Sequence, residues 1–338
     1  MADLKSLHQF TENIKGSVVL PGDPNYDEVR KIWNGMIDRR PAVIVRCAEP
    51  SDVQRSIEFA STNRLELTIR GAGHNIAGNA ICDNGLMIDL SNLKGVRVDA
   101  QKRRAVVEPG ATLGDFDRAV QAHGLATPVG INSTTGIAGL TLGGGFGWLT
   151  RSHGFTIDQL ISADVVTADG QKRKASEGEN PDLFWAIRGG GGNFGVVTQF
   201  EFKLHPVGPE VLAGLLVFPF QQAKQVLTGY RSLMESMPEE LNVWIVMRKA
   251  PPLPFLPEAV HGKEVVVLAV FYSGDAAAGQ KLIDPFRKLG DLHGEHVGSM
   301  PYSQWQQAFD PLLTAGARNY WKSHNFTELS DGALATMI

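Results

Sequence analysis

The stretch LTIRGAGHN, residues 67–75, carries the strongest structural signal in the chain. An apolar run leads into two near-adjacent glycines, Gly71 and Gly73, and His74 follows the turn directly. Because glycine has no Cβ, backbone amides at such a turn can approach a bulky anion such as a diphosphate. The histidine then lies where the reactive end of a bound cofactor can reach it.

Glycine is concentrated in three parts of the chain. The 338 residues include 37 glycines, about 11% against a usual share of about 7%. They cluster at residues 71–85, 136–147 and 189–195. Flexible linkers combine glycine with serine and proline, and the first two clusters lack that company. The clusters therefore predict a backbone that is held against a ligand.

Length, charge and cysteine content exclude several classes of protein. A chain of 338 residues with 43% hydrophobic residues predicts about two domains. The net charge of −4 leaves no basic surplus for a nucleic acid partner. Cys47 and Cys82 cannot cross-link a fold of this size and indicate reduced thiols. The sequence lacks the apolar stretch of a secretory signal and any run of ~20 apolar residues, so we expect a cytoplasmic chain without a membrane partner.

The first 208 residues mix strand and helix patterns, which is typical of an α/β or α+β beginning. A helix is predicted from Ser51, as its N-cap, to Asn63, between two strands of buried composition. A hairpin is predicted through Asp169-Gly170. The predicted strands are residues 42–46, 65–69, 85–90, 96–99, 104–107, 161–167, 172–175 and 196–204, and further helices are predicted at 27–34, 112–123 and 181–187.

A boundary between two domains is predicted at HPVGP, residues 205–209. The proline-rich residues 251–257 predict a rigid loop that cannot lie in a central strand. Beyond the boundary, strands are predicted at 211–218, 241–248 and 264–272 and helices at 221–236 and 275–289.

Several familiar site motifs are absent or out of context. GGGNFG at residues 190–195 matches the letters of a dinucleotide fingerprint, but a helical pattern precedes it and a strand follows. The fingerprint requires the opposite order, so a Rossmann site is not expected. The chain has no P-loop, nucleophile elbow or H-E-x-x-H motif. His293 and His296 flank Glu295 in a polar stretch and are interpreted as surface residues, and no metal site is expected.

Four motifs taken together resemble one enzyme family. They are RGAGHN at residues 70–75, VEPGAT at 107–112, GLTLGGGFG at 139–147 and RGGGGNFGVV at 188–197. In content and order they resemble flavin-linked oxidases of the vanillyl-alcohol oxidase superfamily, in the berberine-bridge-enzyme-like branch. The resemblance covers about residues 38–338. It implies an α+β fold with a lead-in at residues 1–37, a two-subdomain PCMH-type FAD-binding domain at 38–208, and a substrate domain with an antiparallel sheet at 209–338.

The resemblance also implies how FAD is held, between the two subdomains. The histidine at the place of His74 is bonded covalently to the flavin 8α-methyl group in that family. Many relatives add a second bond from a cysteine, but the matching position here is Asn132, so one covalent bond is expected. Thr135 lies near the position that controls access of dioxygen to the flavin. The residues expected to bind FAD are Arg70, Gly71, Ala72, Gly73, His74, Asn75, Asn132, Ser133, Thr134, Thr135, Gly136, Gly139, Gly143, Gly144, Gly145 and Val197.

The activity implied by the resemblance is oxidation of a C–OH or C–N group of a small molecule. Hydride passes to FAD, and dioxygen is the expected acceptor, giving hydrogen peroxide. Residues 318–323 resemble a substrate-facing strand, whose alternation puts Tyr320 and Lys322 on one face and Trp321 on the other. A tyrosine or lysine there can take the substrate proton if its pKa is lowered. The same alternation fits two ordinary sheet residues.

Substrate and turnover stay open at this level. Sugars, oligosaccharides, aromatic alcohols and alkaloid-like amines all fit the resemblance, and so do an oxidase and a dehydrogenase. Relatives continue past residue 338, so we expect the substrate domain to be incomplete. One alternative is a flavin-binding family member without turnover. The other is a reductase on the same fold, although such reductases bind FAD non-covalently, which the Gly-His arrangement argues against.

Overall fold

Residues 4–338 are described by a computed structural model, in which the chain divides into two compact units. The first unit comprises residues 4–150, 154–206 and 306–321, and the second comprises residues 151–153, 207–305 and 322–338. The domain limits at residues 38 and 209 stay predictions. Residues 306–321, however, belong to the first unit and not with residues 207–305.

The first unit opens with a small mixed sheet. Two of its three strand pairings are parallel, and the helix at residues 50–62 supplies the crossover that parallel strands require. Phe10 of the first helix stacks on Phe59 of the third, with ring centroids 4.1 Å apart. The strands are β1 (Ser17–Val19), β2 (Val43–Arg46), β3 (Leu67–Arg70) and β4 (Leu86–Asp89), in the spatial order β1-β2-β4-β3, with helices α1 (Leu4–Asn13), α2 (Tyr26–Val29) and α3 (Pro50–Thr62).

A five-stranded antiparallel sheet forms the second layer of the first unit. Its core is built on the fully buried rings of Phe116, Phe200 and Phe202. The strands are β5 (Val96–Asp99), β6 (Arg104–Val107), β8 (Leu160–Val166), β9 (Lys172–Ser176) and β10 (Val196–Lys203), in the order β5-β6-β10-β8-β9, and β7 (Leu125–Ala126) pairs separately with β11 (His205–Pro206). The helices here are α4 (Leu113–Gln121), α5 (Ile137–Leu142) and α7 (Pro181–Gly190), and 3₁₀ turns span Thr156–Gln159, Gly191–Phe194 and Asp310–Leu312; of the short helix α6 (Thr150–His153), only Thr150 belongs to this unit.

The second unit is a four-stranded antiparallel sheet with helices packed on its apolar face. Leu216, Leu268, Ile283 and Phe286 are fully buried between sheet and helices. The strands are β12 (Glu210–Pro219), β13 (Leu241–Lys249), β14 (Glu264–Tyr272) and β15 (Gly294–Pro301), in the order β13-β14-β12-β15. The helices are α8 (Ala223–Met234), α9 (Ala276–Arg287), α10 (Tyr302–Trp305) and α11 (Asp331–Met337), with 3₁₀ turns at Phe220–Gln222 and Glu258–Val260.

The predicted α+β class is confirmed, and most predicted strands form within two residues of their expected limits. The predicted hairpin joins β8 to β9, and Gly170 at its tip has a φ of +74°. Only glycine adopts that conformation without strain, which is why the Asp-Gly pattern predicted this turn well.

Two helix predictions are corrected by the structure. The helix expected at residues 27–34 is the single turn α2, and α3 begins one residue before Ser51. Pro50 occupies the first helical position, where its missing N–H costs nothing. The hydroxyl of Ser51 therefore does not cap the helix and donates to the carboxylate of Glu49 instead.

The helix α5 and the strand β15 were not predicted. The glycines around α5 obscure its helical pattern. The sequence of β15, GEHVGSMP, has no apolar alternation. β15 nevertheless pairs with β12 along eight residues. A Cβ at Gly214 of β12 would lie 1.9 Å from the carbonyl oxygen of His296, so this glycine is needed for the two strands to meet. His296 itself is exposed and stacks on Phe255.

Two features bear on the function classes considered above. Among the helices within residues 4–338, none combines the length and apolar character needed to cross a membrane. The same part of the chain holds no group of three or more histidine, cysteine, aspartate or glutamate side chains placed to share a metal ion.

Candidate functional site

His74 lies in the turn after β3, beside a loop formed by residues 132–136. Oγ1 of Thr134 is 3.0 Å from Nε2 of His74, and Oγ1 of Thr135 is 3.4 Å from Nδ1. Each ring nitrogen thus has a hydroxyl partner, and the Thr134 oxygen accepts from Nε2–H because its own proton is donated to Oδ1 of Asn132. The structure brings together the two glycine-flanked segments that the sequence predicted to share one site.

The indole of Trp33 stacks on the same imidazole. The ring centroids are 5.0 Å apart and the planes are inclined by 24°. The backbone N–H of Trp33 also donates to the carbonyl oxygen of Gly73 at 3.1 Å. Gly73 has a φ of +75°, which favours glycine at this point of the turn. An imidazole bonded at both nitrogens and stacked on an indole has little freedom to rotate.

Burial makes the imidazole of His74 neutral. It lowers the pKa of His74 to about 4, although an interaction with the backbone of Thr134 and the negative charge of Asp310 act in the opposite direction. Near pH 7 one ring nitrogen therefore keeps its lone pair. A neutral imidazole is the form that can act as a nucleophile.

The loop at residues 132–136 is closed by the side chain of Asn132. Its Oδ1 accepts from the backbone N–H of Thr134 at 3.0 Å and from the Thr134 hydroxyl at 2.7 Å. The end of this loop lies close to the turn that carries His74. A Cβ at Gly136 would be only 2.9 Å from the backbone nitrogen of Ala72. Gly136 is therefore required for the two loops to touch.

Arg70 has a different role from the one its motif suggests. Its guanidinium donates to both carboxylate oxygens of Asp89, at 2.6 and 3.2 Å, and to the carbonyl oxygens of Val29 and Lys31. Burial opposes ionisation of Asp89, yet the hydrogen bonds and charge of Arg70 hold the pKa of that carboxyl below its usual value. The guanidinium is thus committed to a buried ion pair inside the protein. Any part in cofactor binding at this position falls to the backbone.

Other predicted cofactor residues lie in varied surroundings. A Cβ at Gly145 would lie 2.3 Å from Oγ1 of Thr156, so internal packing explains that glycine. Val197 is a core residue of β10 and is 3% exposed. Asn75 is exposed and its Oδ1 accepts from the backbone N–H of Asn79. The roles of these residues toward a cofactor stay predictions.

The strand predicted at residues 318–323 does not form, which corrects the sequence interpretation. These residues pair with no strand of the described chain, and a segment without a partner strand cannot present the two stable faces of a sheet. Tyr320 is 74% exposed, and Lys322 is exposed as well. Trp321 approaches Trp33 edge-on, with ring centroids 5.8 Å apart. The proposed proton-accepting roles of Tyr320 and Lys322 rest on the resemblance alone.

Sequence reasoning missed two residues around His74. Trp33 belongs to the lead-in, and Asp310 belongs to the region expected to form the substrate domain. Oδ1 of Asp310 accepts from the backbone N–H of Ser133 at 2.9 Å, and Oδ2 accepts from its hydroxyl. Neither residue stands in a motif, so only long-range proximity reveals them.

Comparison with known proteins places the chain in a family. A model of the FAD binding domain matches residues 41–176. An FAD-linked oxidoreductase of Dictyostelium discoideum is 35% identical over 335 residues, covering 98% of this chain and 70% of that protein. The chain belongs to the FAD-linked oxidoreductases. The predicted resemblance is confirmed, and FAD is the cofactor.

Solved structures of this family share the fold. 6-Hydroxy-D-nicotine oxidase from Arthrobacter nicotinovorans superposes with a TM-score of 0.81 at 30% identity, covering 89% of this chain and 65% of that one. BBE-like 1 of Physcomitrella patens gives a TM-score of 0.80 at 25% identity, covering 89% and 63%. The chain therefore spans slightly less than two thirds of the length of either structure.

Two glycines that follow the loop at residues 132–136 have open space around them. A Cβ at Gly139 or Gly144 would meet no atom within 4 Å, and Gly144 has a φ of +111°. Contacts within the protein thus do not explain Gly139, whereas its backbone conformation accounts for Gly144 and packing accounts for Gly145. An open glycine surface beside a neutral histidine suits a large planar group with a diphosphate. The residues that would hold it are His74, Thr134, Thr135, Gly136, Gly139, Gly143 and Gly144.

Proposed function

We propose that this chain oxidises a C–OH or C–N group of a small molecule, using FAD bonded covalently through His74, with dioxygen as the final electron acceptor. The observation that carries the proposal is the neutral imidazole of His74, held between the hydroxyls of Thr134 and Thr135. Its surroundings favour a nucleophile in one fixed orientation. The open glycines beside it favour a bound cofactor over an internal packing role.

The proposed covalent bond joins a nitrogen of His74 to the 8α carbon of the flavin. One hydrogen leaves the imidazole nitrogen and one leaves the methyl group, so two protons and two electrons are released. Dioxygen takes them and becomes hydrogen peroxide, which balances the step. A single bond is proposed because Asn132, at the place of the second link, uses its side chain to close the loop.

The proposed substrate reaction uses FAD as a two-electron acceptor for hydride. The substrate hydroxyl or amine gives its proton to a base, and a C=O or C=N bond results. Tyr320 and Lys322 are the proposed bases, and Thr135 is the proposed residue at the path of dioxygen. The likeness to a nicotine oxidase favours a secondary metabolite, with alcohols and sugars as the other classes.

Acid precipitation of the purified protein tests the covalent bond. Flavin absorbance is read in pellet and supernatant for the wild type, for His74→Ala, and for His123→Ala as an exposed control. We expect a yellow pellet for the wild type and the control and a colourless pellet for His74→Ala. Flavin only in the wild-type supernatant would rule out the covalent bond, and no flavin in either fraction would rule out the site as a whole.

Anaerobic mixing with candidate substrates tests the activity. Bleaching of the flavin absorbance by a secondary amine, an aromatic alcohol or a sugar is expected, followed by hydrogen peroxide when air is admitted. Tyr320→Phe should keep the flavin and slow bleaching sharply. Bleaching at the wild-type rate in that variant would remove Tyr320 from the mechanism. A flavin that no substrate class reduces would favour a family member without turnover.

A further inference from the structure

Residues 306–321 return to the first unit and bind the loop that carries the hydroxyl partners of His74. The carboxylate of Asp310 accepts two hydrogen bonds from Ser133, one from its backbone and one from its hydroxyl. Further along, the carbonyl oxygen of Leu313 accepts from Nδ2 of Asn132 at 3.4 Å. Ser133 directly precedes Thr134, so the carboxylate fixes the backbone from which the Thr134 hydroxyl reaches Nε2 of His74.

The same segment then binds the part of the chain that carries Trp33. The backbone N–H of Gly316 donates to the carbonyl oxygen of Trp33 at 2.9 Å. Asn34, which is 2% exposed, exchanges two hydrogen bonds of 3.0 Å with the backbone of Asn319. Gly35 packs so closely that a Cβ there would lie 2.2 Å from the carbonyl oxygen of Gly316. This tight pairing places the Trp33 indole.

Two separate supports thus converge on one imidazole. Trp33 is 5% exposed and stacks on the ring face, while the Asp310–Ser133 contact sets the hydroxyl at the ring edge. The stacked indole of Trp33 limits tilting of the imidazole plane, and the hydrogen bond with Thr134 limits movement of the ring edge. A reaction between a nitrogen lone pair and a carbon atom is fastest when both are fixed in the attacking geometry.

We propose that Trp33 and Asp310 are positioning residues for flavin attachment, holding the imidazole of His74 by its face and by its edge. The proposal rests on the proposed covalent role of His74. The new bond still forms between the imidazole nitrogen and the 8α carbon, with two protons and two electrons passing to dioxygen. Neither Trp33 nor Asp310 exchanges a proton or an electron in that step.

The rate of attachment measures this role. Protein made without flavin is mixed with FAD in air, and acid-stable flavin and total bound flavin are followed separately. We expect Asp310→Ala and Trp33→Ala to lower the rate of acid-stable attachment by about tenfold or more while still binding FAD. Trp33→Phe, which keeps a stacking ring, and Asp310→Asn, which keeps an acceptor oxygen, should recover part of the rate. Asp99→Ala is the matched control, since the carboxylate of Asp99, at the end of β5, bonds to Lys102 in the following turn.

A second readout reports the ring itself and does not depend on bound flavin. The ¹⁵N chemical shifts of the His74 imidazole show its tautomer in the flavin-free protein. We expect one dominant tautomer in the wild type and a mixture in Asp310→Ala or, if that variant does not fold, in Ser133→Ala, which removes only the hydroxyl contact.

The outcomes separate this inference from the proposed function. Attachment at the wild-type rate in both alanine variants, with an unchanged tautomer, would overturn the inference and leave covalent attachment through His74 intact. A wild type without acid-stable flavin would overturn the proposed function itself. Slower attachment and a mixed tautomer in the alanine variants, with an unaffected Asp99→Ala, would support positioning.

Discussion

Arg70 and His74 lie four residues apart in one motif, yet their side chains enter different environments. The guanidinium of Arg70 turns into the protein and pairs with Asp89 of the neighbouring parallel strand. The imidazole of His74 meets the loop at residues 132–136. Removing Asp89 would leave the buried Arg70 guanidinium without a counter-charge, whereas Asp89 without Arg70 would keep only the longer ion pair with Arg46, at 3.3 Å, so this pair supports the turn.

The depressed pKa of His74 makes stability depend on pH. The unfolded chain binds the imidazole proton near pH 6.5, whereas the folded protein binds it only near pH 4. The stability that the neutral ring contributes is therefore full above pH 6.5 and is lost as the pH falls toward 4. Urea unfolding of the flavin-free protein across this range should show the loss in the wild type and a smaller loss in His74→Gln. An equal loss in both proteins would mean that His74 is not shielded, and His123→Gln controls for an exposed histidine.

At the scale of elements, α5 was not predicted because it lies in a glycine-rich stretch. Five of the nine residues 139–147 are glycines, and they are glycine for different reasons. A Cβ at Gly147 would lie 1.8 Å from the carbonyl oxygen of Val129, and a Cβ at Gly139 would meet no atom within 4 Å. Composition cannot distinguish a glycine required by packing from one that leaves space for a ligand.

Two alanine substitutions distinguish a glycine required by packing from one that leaves space for a ligand. Gly147→Ala should destabilise the protein by about 3 kcal/mol, because the backbone must move away from Val129. Gly139→Ala lies inside a helix with open space around it and should stabilise the flavin-free protein by up to about 1 kcal/mol. The same methyl group should weaken FAD binding if the cofactor lies against α5.

Thermal unfolding of the flavin-free variants and fluorescence titration with FAD make the comparison. Full FAD affinity in Gly139→Ala would remove α5 from the cofactor site. An unchanged melting temperature in Gly147→Ala would show that the contact with Val129 yields more easily than its geometry indicates.

At the scale of the whole molecule, the chain closes the first unit with a segment from far along its length. Nε2 of Gln306 donates to Oδ2 of Asp117, on α4, at 3.1 Å, across 189 residues. Oδ1 of Asp117 and Oε1 of Gln306 are buried without a hydrogen-bond partner among the described residues. Burial raises the pKa of Asp117 to about 7, with the bond from Gln306 opposing it, so the carboxyl is neutral in mildly acidic solution.

This buried carboxyl predicts a second pH dependence, of opposite sign to that of His74. The unfolded chain ionises Asp117 near pH 3.8 and the folded protein near pH 7. The neutral carboxyl therefore makes its full contribution to the free energy of unfolding below pH 3.8. That contribution is lost as the pH rises toward 7, by up to about 1.4 kcal/mol per pH unit.

Asp117→Asn should remove that loss, because its amide stays neutral. Chemical unfolding at several pH values measures the difference between wild type and variant, which should grow from pH 4 to pH 7 and then level off. Asp99→Asn is the exposed control. A difference that does not change with pH would mean that Asp117 is already ionised in the folded protein.

Most of the element order follows from local patterns. The Asp-Gly hairpin of β8 and β9 and the long apolar strands β12 and β14 were predictable because turn chemistry and burial leave clear marks in the residues concerned. β15 was not predictable from its own residues, because its pairing depends on Gly214, about eighty residues away in β12. The strand expected at residues 318–323 does not form, because an alternating pattern makes no sheet without a partner strand.

The sequence by itself determined the family and the cofactor, because four glycine-rich motifs in one order resemble those of a single enzyme family. Tertiary structure alone decided the partners of each side chain. Arg70 was committed to Asp89, and Trp33 and Asp310 were brought to His74 from opposite ends of the chain. Burial and hydrogen bonding depend on what the fold places nearby, and residues without a motif leave no local record of those neighbours.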